Sequence, residues 1–244
     1  MPPRLLDRQV SLLEYLTSSR AVFGDNGDES SNPALQGIDQ GLLRLEACFS
    51  HEKRMEKIGA VFSRTIQLLG ADHAAIVREF VEAYPPIAIT RLENARQFYD
   101  FLCARWRRVP PKPPYLGDVA ACEFAIAKAR VGAGSAVSEP ATRVPAQDGI
   151  RRHPGVILLH CAYDIRPIFE GSPAGADPVR RDTSLVIAMP PDAEHPKVFE
   201  LLSPAFALLA TLDDWTDPVA LGSAPELDEL ICDLVEHGLV ELRR

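Results

Sequence analysis

The first part of the chain with strand character is the run VILLHCAY, residues 156–163. It is apolar, rich in branched aliphatic side chains and flanked by turn formers, a combination typical of a buried strand. A second run of the same kind, TSLVIAM, covers residues 183–189. The segment between the two runs, YDIRPIFEG (163–171), is predicted either to continue the first strand or to pair with it.

Two helices and a closing strand follow these runs. Apolar residues recur at helical spacing over residues 196–212 and 225–237, and the run LVELR after Gly238 predicts a final strand. Strands, two helices and a strand in this order within residues 155–244 predict a small winged-helix-like α+β domain.

The N-terminal half shows helical periodicity without alternation, which predicts an all-α domain over residues 1–131. Its predicted helices cover residues 5–17, 40–69, 74–83, 91–106 and 115–130. Gly59 is a possible interruption of the long second helix, and Gly70 suits its end. Residues 132–154 are rich in proline and small residues and are predicted to be a linker or long loop. The predicted fold class is therefore α+β, with a helical docking domain, a linker and a domain at residues 155–244.

The net charge of −8 is unevenly distributed along the chain. Residues 155–244 carry 6 basic and 16 acidic side chains, a net charge of −10, and the rest of the chain carries +2. The sequence has no apolar run of membrane-spanning length and no signal-peptide pattern. The sequence has five cysteines, which is an odd number, and all of them lie among apolar residues. Both observations indicate reduced thiols in a cytoplasmic protein.

No catalytic or metal motif is recognisable in the sequence. The phosphate-binding loop, the dinucleotide-binding glycine pattern and the GxSxG nucleophile motif are all absent, and the six histidines are scattered. Zinc sites need three or four converging ligands, and no such set is evident. We therefore expect no catalytic residues, no metal ligands and no cofactor in this chain.

The C-terminal domain suggests either nucleic-acid or peptide recognition. A recognition helix for DNA should be basic, but residues 225–237 contain five acidic residues and no lysine or arginine. A winged-helix transcription regulator is therefore the alternative, and peptide binding on an edge strand is the favoured prediction. The predicted contacts are an apolar strand and an apolar helix stripe that could equally face the domain core: Leu185, Val186, Ile187, Leu227, Leu230 and Leu234.

Two features of the N-terminal half bear on partners and packing. A basic stretch surrounds Trp106 and includes Arg105 and Arg108, which predicts either docking onto an acidic partner or a solvated helix face. In the helix at 115–130, Glu123 falls within the apolar stripe. We expect it to be partly buried and paired, with an arginine of the basic stretch as the candidate, because an unpaired interior carboxylate is costly.

Five segments appear in the same order as in the MbnC family, the partner proteins of methanobactin biosynthesis. They are FVEAYPP, ARQFYDFL, PYLGDVAACEFAIAKAR, VILLHCAYDIRPIFEG and the C-terminal EHGLVELRR. The most specific pieces are two short patterns: Tyr115, Leu116, Asp118, Val119, Ala120 and Glu123 in one helix, and Tyr163, Asp164, Arg166 and Pro167 after the first strand. The sequence from about residue 42 to the end resembles this family.

The resemblance implies a non-catalytic subunit of a peptide-modifying complex. MbnC-like proteins form a heterodimer with an MbnB-type multinuclear iron oxidase and help to hold the leader of a ribosomally synthesised precursor peptide. The oxidase converts peptide cysteines into oxazolone and thioamide groups, so iron is expected in the partner. The predicted partner contacts are Arg105, Trp106, Arg108, Tyr163, Asp164 and Arg166.

Overall fold

The computed structural model describes residues 4–24, 33–87, 89–133, 149–170, 177–190, 193–222 and 225–243. It combines helices with antiparallel strands, which confirms the predicted α+β class. The chain divides into two compact units, Met1–Pro110 and Pro111–Arg244. None of the described helices combines the length and apolar character that crossing a bilayer requires.

Helices make up the described part of the first unit, as the periodicity predicted. They are α1 (Leu5–Leu16), α2 (Ser19–Phe23), α3 (Gln40–Gly59), α4 (Ser63–Leu69), α5 (His73–Ala83) and α6 (Arg91–Trp106), with 3₁₀ turns at Pro33–Leu35 and Gly70–Asp72. The predicted helix at 40–69 is divided after Gly59, and Gly70 ends its second part with a φ of +54°, which favours glycine. The short helix α2 was not predicted.

The core of this unit is aromatic. Phe98 makes edge contacts with both Phe62 and Phe80, with ring centroids 5.5 and 5.1 Å apart. Phe62 lies at the break between α3 and α4 and is fully buried, so burial of this ring fixes where the helix path turns.

The guanidinium of Arg54, on α3, is buried beside this aromatic core. It donates to Asn94 Oδ1 at 3.1 Å, to Gln97 Oε1 at 3.0 Å and to the carbonyl of Tyr84 at 2.8 Å. Its Cζ also lies 4.4 Å from the centroid of the Phe80 ring. Burial lowers the pKa of Arg54 to about 10, so the side chain remains charged at neutral pH. One cation therefore holds α3, α6 and the end of α5 together.

The second unit contains a three-stranded antiparallel sheet, a two-stranded ribbon and four helices within its described residues. The elements are α7 (Leu116–Ala133), β1 (Gly149–Arg152), β2 (Ile157–Tyr163), α8 (Arg166–Phe169), β3 (Arg180–Ala188), β4 (Lys197–Glu200), α9 (Ser203–Thr211), α10 (Pro225–Glu236) and β5 (Val240–Arg243), with a 3₁₀ turn at Pro218–Leu221. The sheet has the order β2-β3-β4, and β1 pairs with β5.

Helices cover both faces of the three-stranded sheet. Val186 and Ala188 of β3 pack into a core with residues of α9, α10 and β5. Side chains alternate along a strand, so Leu185 and Ile187 point to the opposite face. Helix α7 contacts β2 and β3 and contributes nothing to the first core, so it covers that opposite face. The end of α7 lies so close to the loop before β2 that a Cβ on Gly132 would be 2.9 Å from Gly155 Cα.

Glu123, on α7, is buried with 5% exposure, more deeply than the partial burial that we expected. Burial raises the pKa of the neighbouring Cys122 thiol, and the negative charges of Cys161 and Glu123 add smaller increases.

Two predicted elements are wrong. Within the segment 163–171, β2 ends at Tyr163 and Arg166–Phe169 form the short helix α8, because Pro167 lacks a backbone donor for strand pairing and suits the first turn of a helix. Residues 196–212 form β4 followed by α9, because Pro204 marks a helix start and KVFE alternates between exposed and half-buried side chains.

The domain boundary also differs from the expected one. Helix α7 belongs to the second unit, although residues up to 131 were predicted to form the helical domain. Most of the predicted linker at 132–154 lies outside the described residues, and its residues 149–152 form β1.

Candidate peptide-binding edge

The strand predicted to bind a peptide is the centre of the sheet. Leu185, Val186 and Ile187 pair with β2 on one side and with β4 on the other, and each side chain is 0% exposed. The prediction that this strand offers an open edge is therefore wrong. The apolar pattern gave the strand correctly, but it fits a central strand covered on both faces better than an edge strand.

The apolar stripe of α10 packs inward. Leu234 belongs to the core below the sheet, Leu230 packs against that core, and Leu227 is half-buried. Leu230 and Leu234 therefore face the domain core, which is one of the two alternatives that the sequence left open. The exposed positions of the helix are mainly acidic, and include Glu226, Asp228, Glu229, Asp233 and Glu236.

An edge with unpaired backbone groups is provided by β4 instead. The N–H of Leu201 donates to the carbonyl of Ser184 at 2.9 Å, which fixes the hydrogen-bonding alternation between β3 and β4. In an antiparallel pair, every second residue turns its N–H and C=O away from its neighbour. By this alternation Val198 and Glu200 direct their backbone groups outward, and no partner for them occurs among the described residues.

Exposed apolar side chains lie beside this edge. Phe199 is 37% exposed at the margin of the sheet, and Leu202, just after β4, is 81% exposed. Large apolar groups next to unpaired backbone donors and acceptors are what an added strand would cover. We refer to Val198, Phe199, Glu200 and Leu202 as the β4 edge.

A network of four charged groups holds β4 in place. Arg181 of β3 contacts Glu200 at 2.6 Å and Asp164 at 2.7 Å, and Arg166 of α8 contacts the same two carboxylates, each at 2.7 Å. Hydrogen bonds from Arg166 and Arg181 hold the pKa of Asp164 far below its usual range. The network neutralises Glu200, so the β4 edge carries little net charge.

The outer edge of β2 is partly occupied. Asp118, in the first turn of α7, accepts the N–H of Tyr163 at 3.0 Å and also that of Ala162. The pKa of Asp118 lies above its usual value because burial raises it, and the two hydrogen bonds offset only part of that increase. This edge is therefore less available for an added strand than the edge of β4.

The predicted partner contacts occur in both units. Asp164 and Arg166 lie in the charged network, and Tyr163 stacks edge-on with Tyr115, with ring centroids 6.0 Å apart. In the first unit, Arg105 pairs with Glu79 at 3.0 Å, while Arg108 is exposed and Trp106 half-buried. These positions are compatible with a surface role, and the role itself stays a prediction.

The described residues contain no group of three histidine, cysteine or acidic side chains that could hold a metal ion. Burial raises the pKa of the Cys161 thiol to about 12 and that of Cys122 still further. These two thiols are therefore poor nucleophiles at neutral pH.

Comparison with models of known protein families gives no match, and comparison with curated proteins gives none either.

The sequence pattern does not predict the β4 edge, because residues 197–200 fall at the start of the helix that periodicity predicts over 196–212. A signal was present: the tetrapeptide KVFE contains two adjacent residues of high strand propensity, Val198 and Phe199, and ends shortly before a Ser-Pro helix start.

Proposed function

We propose that this chain is the non-catalytic recognition subunit of a peptide-modifying iron oxidase, and that its second unit holds an extended precursor-peptide leader on the β4 edge. The observation that carries the proposal is the unpaired backbone of Val198 and Glu200 beside exposed Phe199 and Leu202. Strand addition supplies affinity through backbone hydrogen bonds, and the neighbouring apolar groups supply side-chain contacts.

The identity of the partner rests on the resemblance to the MbnC family. In this proposal the partner is an MbnB-like multinuclear iron oxidase in the cytoplasm, which carries the iron and converts peptide cysteines into oxazolone and thioamide groups. The present chain positions the precursor peptide, because a leader bound on β4 raises the effective concentration of the peptide cysteines at the oxidase.

The test is co-expression of the chain with an iron oxidase and a short cysteine-containing peptide encoded by neighbouring genes, followed by affinity purification. A proline at position 198 removes one outward N–H and leaves the β3–β4 hydrogen bonds intact. We expect Val198→Pro to lower peptide retention about tenfold or more while the oxidase still co-elutes, because one of few backbone contacts is lost.

The matched control is Val198→Thr, which keeps the N–H and the β-branched shape and should retain the peptide. Failure of the oxidase or peptide to co-elute with the unaltered chain, or equal retention by both variants, would refute the proposal.

DNA binding by a winged-helix regulator is the alternative, and the acidic exposed positions of α10 oppose it electrostatically. Binding to DNA fragments that weakens steeply with salt would favour this alternative.

A further inference from the structure

The ladder of outward-facing backbone groups on the β4 edge is short. Val198 and Glu200 direct both their N–H and their C=O groups outward. The next residue of the same orientation on one side is Pro196, which has no N–H to donate. On the other side, the carbonyl of Leu202 accepts the N–H of Phe206 at 3.0 Å, in the first turn of α9. An added strand therefore gains complete backbone pairing along only three residues of β4.

The side chains of these three residues divide between the two faces of the sheet. Phe199 lies opposite Val186, whose side chain belongs to the core formed with α9, α10 and β5. Residues directly opposite each other in an antiparallel pair share a face, so Phe199 lies on the face of the sheet that α9 covers. Val198 and Glu200 alternate with Phe199 and lie on the other face, which α7 covers.

The two faces offer an added strand different chemistry. On the α9 face, the Phe199 side chain is 37% exposed, and an opposing side chain would have its Cβ about 5 Å from that of Phe199. On the α7 face, the Glu200 carboxylate already pairs with Arg166 and Arg181. The network of four charged groups sums to zero, so it gives no electrostatic preference for a charged residue on that face.

The direction of the added strand follows from the sheet that it would extend. Both strand pairs of this sheet are antiparallel, and parallel pairing is slightly less stable per residue. In an antiparallel arrangement, the peptide residues opposite Val198 and Glu200 exchange an N–H and a C=O with β4. The peptide residue between them, opposite Phe199, turns its own backbone groups away from the sheet.

We propose that the segment held by β4 is a short antiparallel strand with an apolar residue opposite Phe199, flanked on each side by an uncharged residue that keeps its N–H. This inference rests on the proposed function, because it specifies the leader segment that the β4 edge recognises. The flanking residues pair with Val198 and Glu200 through their backbones, which excludes proline from both positions. The apolar residue covers the exposed part of the Phe199 ring and supplies the side-chain selectivity.

The probe is the fluorescein-labelled synthetic peptide Lys-Thr-Thr-Leu-Thr-Thr-Lys, titrated with the full chain and followed by fluorescence anisotropy. Its single leucine defines the register, and its lysines suit a unit with 12 basic and 20 acidic side chains. We expect saturable binding, weakened about fivefold when serine replaces the peptide leucine, because the cross-strand contact with Phe199 is lost.

N-methylation of the same peptide tests the backbone pairing on the unaltered chain. A methyl group on the nitrogen of either threonine next to the leucine removes an N–H that pairs with β4, and should weaken binding about tenfold. A methyl group on the leucine nitrogen is the matched control. In an antiparallel strand that N–H points away from β4, so this peptide should bind within about twofold of the unmethylated one.

A substitution in the chain tests the side-chain contact. Phe199→Ser should reduce the fivefold preference for the leucine peptide over the serine peptide to less than about twofold. Val219→Ser, which removes an exposed valine outside the sheet, is the matched control and should leave the preference unchanged.

The inference is overturned if the leucine peptide does not bind, if the leucine and serine peptides bind equally well, or if methylation of the leucine nitrogen is as harmful as methylation of its neighbours. The proposed function has its own readout, slower amide exchange at Val198 and Glu200 when the precursor peptide is added. Protection of these amides together with equal binding of the leucine and serine peptides would refute this inference alone.

Discussion

At the residue scale, the buried guanidinium of Arg54 is the contact on which the first unit depends most clearly. Substitution by methionine leaves the side-chain oxygens of Asn94 and Gln97 and the Tyr84 carbonyl without this donor. We expect Arg54→Met to lower the free energy of unfolding by about 3 kcal/mol, measured by urea denaturation.

The matched control for Arg54 is Lys53→Met, an exposed position on the same helix, which should change stability by less than about 0.5 kcal/mol. Equal effects of the two substitutions would show that the buried hydrogen bonds contribute little.

The charged network at β4 predicts a pH dependence of the second unit. Arg166 and Arg181 lower the pKa of Asp164 in the folded state, so the folded state binds a proton less readily than the unfolded state. This contribution to stability is present above the unfolded pKa of about 3.9 and is lost as the pH falls below it.

We therefore expect Asp164→Asn to reduce stability at pH 7 and to flatten the loss of stability on acidification below about pH 4. The measurement is urea denaturation at a series of pH values, with Asp182→Asn, an exposed neighbour on β3, as the control. If the stability of Asp164→Asn depended on pH in the same way as that of the unaltered chain, Asp164 would not be a source of the loss of stability in acid.

At the element scale, a substitution of Leu202 should change peptide binding and the free energy of unfolding in opposite directions. It is the N-cap residue of α9, where its side chain forms no capping hydrogen bond. Serine is a favoured N-cap, so Leu202→Ser should raise the free energy of unfolding by about 1 kcal/mol. The same change should weaken retention of the precursor peptide several-fold, because it removes an exposed apolar contact of the β4 edge.

Val219→Ser is the control for Leu202→Ser, since Val219 is 83% exposed and lies on a 3₁₀ turn outside the sheet. Equal peptide retention by the Leu202→Ser and unaltered chains would remove Leu202 from the binding surface.

The periodicity of apolar residues predicts several elements accurately, and it fails where the pairing of strands that are distant in sequence determines the structure. The helix at Arg91–Trp106 follows from periodicity and from Thr90, whose hydroxyl accepts the N–H of Glu93. The continuous apolar run of β3 is consistent with a strand covered on both faces, but its second neighbour could not be deduced from that run, because β4 lies in a segment whose periodicity predicts a helix. Likewise, the partner of the Leu234 stripe is set by tertiary packing and not by the stripe itself.

At the scale of the whole molecule, the location of α7 predicts which fragments fold. A fragment of residues 111–244 keeps the helix that covers Leu185 and Ile187, whereas residues 149–244 lack it. We expect cooperative urea unfolding of the longer fragment only, because the shorter one exposes one face of its sheet. Equal stability of the two fragments would place α7 outside the folding unit.

The most direct test of the central claim is residue-resolved amide hydrogen exchange of the full chain with and without the precursor peptide. Strand addition to β4 predicts slower exchange at Val198 and Glu200, whose N–H groups point outward, and no change at Leu201, which already donates to Ser184. Tight peptide binding that leaves Val198 and Glu200 unprotected would contradict the assignment of the β4 edge as the recognition site.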